Sequence, residues 1–349
     1  MLTETNARPT VPLEVFQALP KTDLHVHLDG SLRPATLVDL AQRAGVPLPT
    51  TDPAALARHM LVDDAAHLDD YLARFELTIA VLQDAEALER VAYEMVEDAA
   101  QDGVSRLEVR NCPLLNTRRG LTLDEAIVAQ CRGLARGAEA FGVSTGLINC
   151  SLRHYDPADS VRIAEASVRH RDAGVVAFDL AGGEAGRPPG PHGPAFDVAR
   201  EGMLGITVHA GEAAGPDSIR EALFRCHAMR LGHGTRLIED PALLAYVRDR
   251  QVPIEINLTS NVQTRAVRSL AEHPLRRYLD EGLAVTLCTD NWLMSGVSLT
   301  DEYEAAQAAL GLGDDEVVLL MRHGLAASFA PWPERQRLLE ASDAALAAA

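Results

Sequence analysis

Lysine is nearly absent: among the 32 basic residues of this 349-residue chain, Lys21 is the single lysine and the rest are arginine. No lysine is placed to grip a nucleotide phosphate in a Walker loop, and Schiff-base chemistry falls to Lys21 or to nothing. Basic residues are also outnumbered, 32 against 50 acidic ones, for a formal charge of −18. Such a surface repels a polynucleotide, and no basic stripe offsets it locally, so DNA and RNA are excluded as partners. Long apolar runs are missing as well. None approaches the ~18 residues of a membrane span, and the N-terminus has no basic segment followed by an apolar one. A soluble, cytoplasmic protein with no membrane contact is expected. Cysteine is sparse. Cys112, Cys131, Cys150, Cys226 and Cys288 are odd in number, scattered and without a C-x-x-C pair, which reads as reduced packing thiols.

What is present is a hydrophobic fraction of 47%, enough for a sizeable core. The length suits either two average domains or one large α/β barrel. Apolar, β-rich runs recur at Asp23–Val26, Val104–Val109, Ser144–Cys150, Gly174–Leu180, Gly205–Val208, Met229–Leu231, Val252–Ile256 and Leu283–Cys288, with alanine-rich helical stretches between them. Parallel neighbours need helical crossovers, and strands apolar on both faces are covered on both faces. The expected fold is therefore α/β, a (β/α)8 TIM barrel forming one domain over residues 1–349. A doubly wound open sheet is the alternative, but no G-x-G-x-x-G turn follows the first strand. Residues 1–12 read as a loose arm, with a short helix over Leu13–Ala18. An excursion over Pro47–Leu82 carries helical spacing in His67–Ala80, and a helical tail runs over Arg335–Ala349.

Polar clusters punctuate the apolar runs. The first strand reads Leu24-His25-Val26-His27-Leu28-Asp29-Gly30, and strand alternation puts His25 and His27 on one face, where they can share a cation. The fifth ends in Val208-His209-Ala210-Gly211-Glu212, the sixth in Leu231-Gly232-His233-Gly234 and the eighth in Cys288-Thr289-Asp290-Asn291. Each histidine alone reads as readily as a core or capping residue. Their common position at strand ends, the pole where barrels carry functional groups, favours a site. His25, His27, His209 and Asp290 form a nitrogen and oxygen donor set suited to one Zn2+, although iron or cobalt fits the same ligands. With no lysine beyond Lys21, a carbamate bridge between two metals has no residue to form on. His59, His67, His170, His227, His273 and His323 are assigned to surface or packing.

These motifs resemble the adenosine deaminase family. The resemblance is carried by PKTDLHVHLDG at 20–30, Glu108–Arg110, FDLAG at 178–182, HAGEAAGPDSIREAL at 209–223, LGHGT at 231–235, TSNVQT at 259–264 and TDN at 289–291. The stretches run in family order over nearly the whole chain. The resemblance implies hydrolytic deamination of adenosine and 2′-deoxyadenosine to inosine and deoxyinosine in purine metabolism or salvage, with a small purine nucleoside as the partner. It implies a zinc-acidified water held by the four ligands, His233 orienting or deprotonating that water, Asp290 aiming it, and Glu212 protonating ring N1.

Substrate contacts follow from the same resemblance. His27 faces the substrate as well as the metal, and Gly182 offers its backbone N–H to purine N3. Asn291 replaces an aspartate found in many relatives, and its amide can still donate to N7. Asp29 matches a ligand of the ribose 5′-hydroxyl; a glutamate there, as adenine deaminases tend to carry, would occupy the ribose space. The Asp29 carboxylate also disfavours a 5′-phosphate. Tyr71, Leu72 and Phe75 have the spacing of an apolar lid over the purine, and ordinary helix packing explains them as well. Adenine, a modified adenosine such as aminodeoxyfutalosine, another mononuclear amidohydrolase activity and a non-catalytic binding protein are the competing readings. Nucleic-acid deaminases carry P-C-x-x-C, which this chain lacks. Oligomeric state is not legible in the sequence.

Overall fold

The computed structural model of the chain describes residues 19–63 and 65–348. The expected arm over 1–12 and helix over Leu13–Ala18 lie outside them. Eight parallel strands follow one another around a sheet in chain order: β1 (Lys21–His27), β2 (Val104–Asn111), β3 (Ser144–Leu152), β4 (Val175–Ala181), β5 (Gly205–Ala210), β6 (Arg230–His233), β7 (Ile254–Ile256) and β8 (Val285–Leu287). Past the end of β8 the chain meets β1 again through a parallel bridge between Val26 and Asp290. His27 N–H donates to the Asp290 carbonyl and Asp290 N–H to the His25 carbonyl, both at 2.8 Å. The result is a nearly closed (β/α)8 barrel, and the open doubly wound sheet is excluded.

Local chemistry sets the helices between the strands. Proline opens many of them (Pro34, Pro53, Pro157, Pro216, Pro241), where a missing N–H costs nothing. Asp52, Asp84, Asp156 and Asp240 cap helix starts by accepting backbone N–H groups. Thr122 and Glu125 form a reciprocal capping box on the helix Leu123–Phe141, and Gly142 ends it at φ 75°.

Several expected strand boundaries need correction, among them those of β5, β6 and β7. β5 and β6 run on through His209 and His233, because ladder hydrogen bonds use backbone groups and do not require apolar side chains at the open end. β7 begins only at Ile254, since Pro253 has no N–H to give the ladder. The excursion is also not one helix over His67–Ala80: it breaks into Leu68–Leu72 and Phe75–Val81, with a turn at Ala73 and Arg74. The C-terminal tail is helical from Trp332 to Ala348.

The barrel interior is charged as well as apolar. Arg106, Glu108 and Arg110 alternate along β2 and are all fully buried, so they share the inward face. Room for them comes from small neighbours: a Cβ at Gly146 on β3 would stand 2.7 Å from the Arg106 guanidinium.

Candidate active site

The two histidines of β1, the histidine ending β5 and the aspartate after β8 converge at the C-terminal mouth. Nε2 of His209 lies 3.1 Å from Nε2 of His25 and 3.2 Å from Nε2 of His27. Oδ1 of Asp290 lies 3.5 Å and 3.4 Å from the same two nitrogens. Four donors with bonds of about 2.0–2.1 Å to one cation stand at such separations from one another. Among the described residues these four form the one His/Cys/Asp/Glu cluster able to hold a metal. Their chemistry, three imidazole nitrogens and a carboxylate oxygen, fits a divalent ion such as zinc.

The unused ring nitrogens have partners that aim the ligands. Nδ1 of His25 meets Oε2 of Glu255 at 2.8 Å, and Nδ1 of His209 meets Oδ2 of Asp179 at 2.9 Å. Each carboxylate accepts the hydrogen bond of Nδ1–H, which leaves Nε2 bare for a cation. Arg110 clamps both carboxylates, at 2.8 Å to Asp179 and 2.9 Å to Glu255. Arg230 holds the other Glu255 oxygen at 2.7 Å and ties it to Glu108, which also pairs with Arg106. Burial alone would raise the carboxyl pKa of Glu255. The guanidinium groups of Arg110 and Arg230 overcome it and hold Glu255 well below its ordinary range. Ser260 donates to Oδ2 of Asp290 at 2.5 Å, which leaves Oδ1 for the ion.

Glu212 and His233 complete the mouth. Nε2 of His233 lies 3.7 Å from Oε2 of Glu212, and both side chains are buried. Burial, with the negative charges of Asp290 and Glu184, pushes the Glu212 carboxyl well above its ordinary pKa, which favours its protonated form. Its backbone is gripped by Glu184, whose carboxylate accepts the N–H groups of Gly211, Glu212, Ala213 and Ala214 at 2.6–2.9 Å and the Ser218 hydroxyl at 2.5 Å. His233 and Asp290 take left-handed backbone conformations, φ 64° and 65°. Such strain costs about 1–3 kcal/mol per residue and gathers where side chains must leave a strand end in a set direction.

A cleft of about 440 Å³ opens over this cluster, in the size range of small-molecule sites. Its lining includes every residue expected from the sequence except the fully buried His25: His27, Asp29, Gly182, His209, Glu212, His233, Asp290 and Asn291, with Tyr71, Leu72 and Phe75 from the excursion. Asp29 is buried, its Oδ1 has no partner among the described residues, and burial raises its pKa to about 7. Gly182 sits at φ +88°, which a side chain would resist. Asn291 gives one amide N–H to the Tyr71 hydroxyl at 3.0 Å, so a single N–H remains for a ligand. A Cβ on Gly30 would stand 1.8 Å from the Asn291 Oδ1, so glycine is required for that side chain to sit where it does.

Several residues that aim the candidate ligands have no role in the sequence reading. Glu255 and Arg230 sit on β strands, and their one available signal is a charge interrupting an apolar run. Arg110, Asp179 and Ser260 fall inside the family-like stretches at 108–110, 178–182 and 259–264 without a role of their own there, and Glu184 gives no such signal. His273, assigned above to surface or packing, is 3% exposed and bonds to Asn261 beside His233.

Residues 20–345 match the family model described as Adenosine deaminase. The chain is 41% identical over 320 residues to a probable adenosine deaminase of Dictyostelium discoideum, covering 91% of this chain but 42% of that longer protein. It is 40% identical over 346 residues to an adenosine deaminase of Mycobacterium ulcerans, covering 94% of this chain and 95% of the relative. Among solved structures, an adenine deaminase from Arthrobacter aurescens superposes with a TM-score of 0.87 at 31% identity, covering 93% of this chain and 98% of that one.

Proposed function

The chain belongs to the adenosine deaminase family, and from that premise we propose that it hydrolyses adenosine and 2′-deoxyadenosine to inosine and 2′-deoxyinosine, releasing ammonia. It is a hydrolytic deaminase; the nucleoside is the finer reading. The observation that carries it is Glu212, a buried carboxyl pushed above its ordinary pKa, 3.7 Å from Nε2 of His233 and beside a three-histidine, one-aspartate cation cluster.

His25, His27, His209 and Asp290 would hold one Zn2+. When bound, the ion supplies acidification of water, taking its pKa toward about 7. The rest falls to the chain. Glu212 gives its proton to purine N1 as a water oxygen bonds to C6; one proton of that water passes to the amino group, which leaves as ammonia when the C6–N6 bond breaks, and the other returns to the Glu212 carboxylate as the C6 carbonyl forms. Asp290, fixed by Ser260, and His233 orient the attacking oxygen. The Gly182 N–H meets N3, and the remaining N–H of Asn291 meets N7. Tyr71, Leu72 and Phe75 close the cleft over the ring and exclude water.

The unpartnered Asp29 oxygen supports a nucleoside over the free base, because it leaves a buried acceptor for a ribose 5′-hydroxyl. Adenine, the substrate in the name of the Arthrobacter relative, would leave that acceptor unused. The protein is proposed to act in the cytoplasm, in purine salvage, as one catalytic domain. The test is ammonia release by zinc-loaded protein from adenosine, deoxyadenosine, adenine and AMP in parallel, with Glu212→Gln as control. Turnover of the two nucleosides above all others, lost in a folded, metal-loaded Glu212→Gln protein, is expected. Full turnover by that variant removes the proton-donor role, and no turnover of any purine by the wild type removes the substrate reading.

A further inference from the structure

His233 stands at the head of a chain of buried hydrogen bonds whose far end has only one polarity. The backbone N–H of Leu275 points at Nδ1 of His273, 3.1 Å away, so that nitrogen is an acceptor. Burial lowers the pKa of His273 to about 3, which keeps the ring neutral and puts its one proton on Nε2. Nε2 lies 3.1 Å from Oδ1 of Asn261 and donates to it. With its oxygen so engaged, Asn261 can turn only its N–H2 end toward His233, and Nδ2 lies 2.9 Å from Nδ1 of that ring. A second amide nitrogen, Nδ2 of Asn257, lies 3.2 Å from the same Nδ1. None of these side chains is more than 3% exposed, so the chain of bonds is shielded from bulk solvent.

We propose that His273 and Asn261 are positioning residues that fix His233 as the neutral Nε2–H tautomer, so that His233 meets the attacking oxygen as a hydrogen-bond donor and not as a general base. The lone pair a base would use is on Nδ1, turned away from the cleft and occupied by amide donors. Nε2, the atom that faces Glu212, carries the proton. Of the two roles implied above for His233, orienting the water is retained and deprotonating it is removed. This inference rests on the deaminase reading for its consequence, but the tautomer itself is independent of turnover.

The experiment is a long-range proton–nitrogen NMR spectrum of the whole protein labelled with 15N-histidine, metal-free and zinc-loaded, with His233 assigned from the missing signals of His233→Asn. Wild-type His233 should show a protonated Nε2 and a bare Nδ1. Asn261→Asp, which offers only acceptors, should bring a proton onto Nδ1. His273→Leu frees the Asn261 amide to turn over, and kcat should fall roughly tenfold or more with KM little changed, since a mis-set histidine tautomer is costly. His273→Gln keeps an N–H donor for Asn261 and should recover most of that loss. A bare Nε2 in the wild type, or His273→Gln as impaired as His273→Leu, overturns the proposal; the wild-type spectrum decides even if a variant fails to fold. Absence of ammonia release from every purine would defeat the substrate reading while leaving the spectrum as it is.

Discussion

The carboxylate of Glu184 accepts the backbone N–H of Glu212 at 2.9 Å and holds the whole loop that carries the Glu212 side chain. Four consecutive N–H groups converge on those two oxygens, as on a bound anion. Glu184→Ala leaves them without an acceptor in a buried place, and an unmet buried donor costs about 1–3 kcal/mol. The variant should lose several kcal/mol of stability, about 3 or more, and most of its kcat. Glu184→Gln, which keeps one acceptor oxygen, should fall between it and the wild type. Denaturant unfolding alongside ammonia release checks the order, and an Ala variant with wild-type kcat refutes it.

Glu255 aims His25 and is in turn held by Arg110 and Arg230. Loss of such a partner typically weakens metal binding about 10–100-fold. Glu255→Gln should therefore need correspondingly more zinc for half-occupancy, measured by competition with a chelator. Arg110→Met strands the carboxylates of Asp179 and Glu255 without their shared cation, and breaking a buried pair costs about 3–5 kcal/mol. That variant should unfold at markedly lower denaturant even with metal in excess.

Asp29 discriminates by volume and by an unpartnered oxygen. Asp29→Glu adds one methylene toward the ribose space, and a methylene misfit is worth about 1–3 kcal/mol. The ratio of kcat/KM for adenosine to that for adenine should fall by roughly 10-fold or more. An unchanged ratio would remove Asp29 from sugar recognition.

Glu302 lies away from the metal ligands, fully buried against the start of the helix Leu258–Gln263, where it accepts the Thr259 N–H. Burial raises its pKa from 4.5 to about 8. The folded protein thus binds a proton that the unfolded chain releases above 4.5, so this group's contribution favours folding at low pH and is lost as pH rises toward 8. Glu302→Gln carries no charge to bury. It should be no more stable than the wild type near pH 5 and about 2 kcal/mol or more stabler near pH 9. Urea midpoints at the two pH values test the sign, and a variant less stable at both refutes it.

Much of this protein was legible in order along the chain. His25 and His27 share a face because strand side chains alternate, and eight apolar runs with helices between them point to a parallel sheet covered on both faces, which here closes into a barrel. His209, His233 and Asp290 stood out because they end such runs. The Tyr71–Phe75 excursion shows the limit: helical spacing persists through the turn at Ala73 and Arg74, since apolar periodicity reports which face is buried, not whether the backbone is continuous. The sequence by itself brought out the eight strands and the four candidate ligands at their ends, because those depend on periods of two and on residue type, while the proton-donor reading of Glu212 follows from the family resemblance. Only the tertiary structure decided how each is aimed. Glu255 reaches His25 across 230 positions, and His273, a surface or packing residue by its sequence context, stands behind His233 through its bond to Asn261. Such contacts are set by where strands and loops meet in space, and a hydrogen bond's direction is fixed only when both partners, and their own partners, are in view.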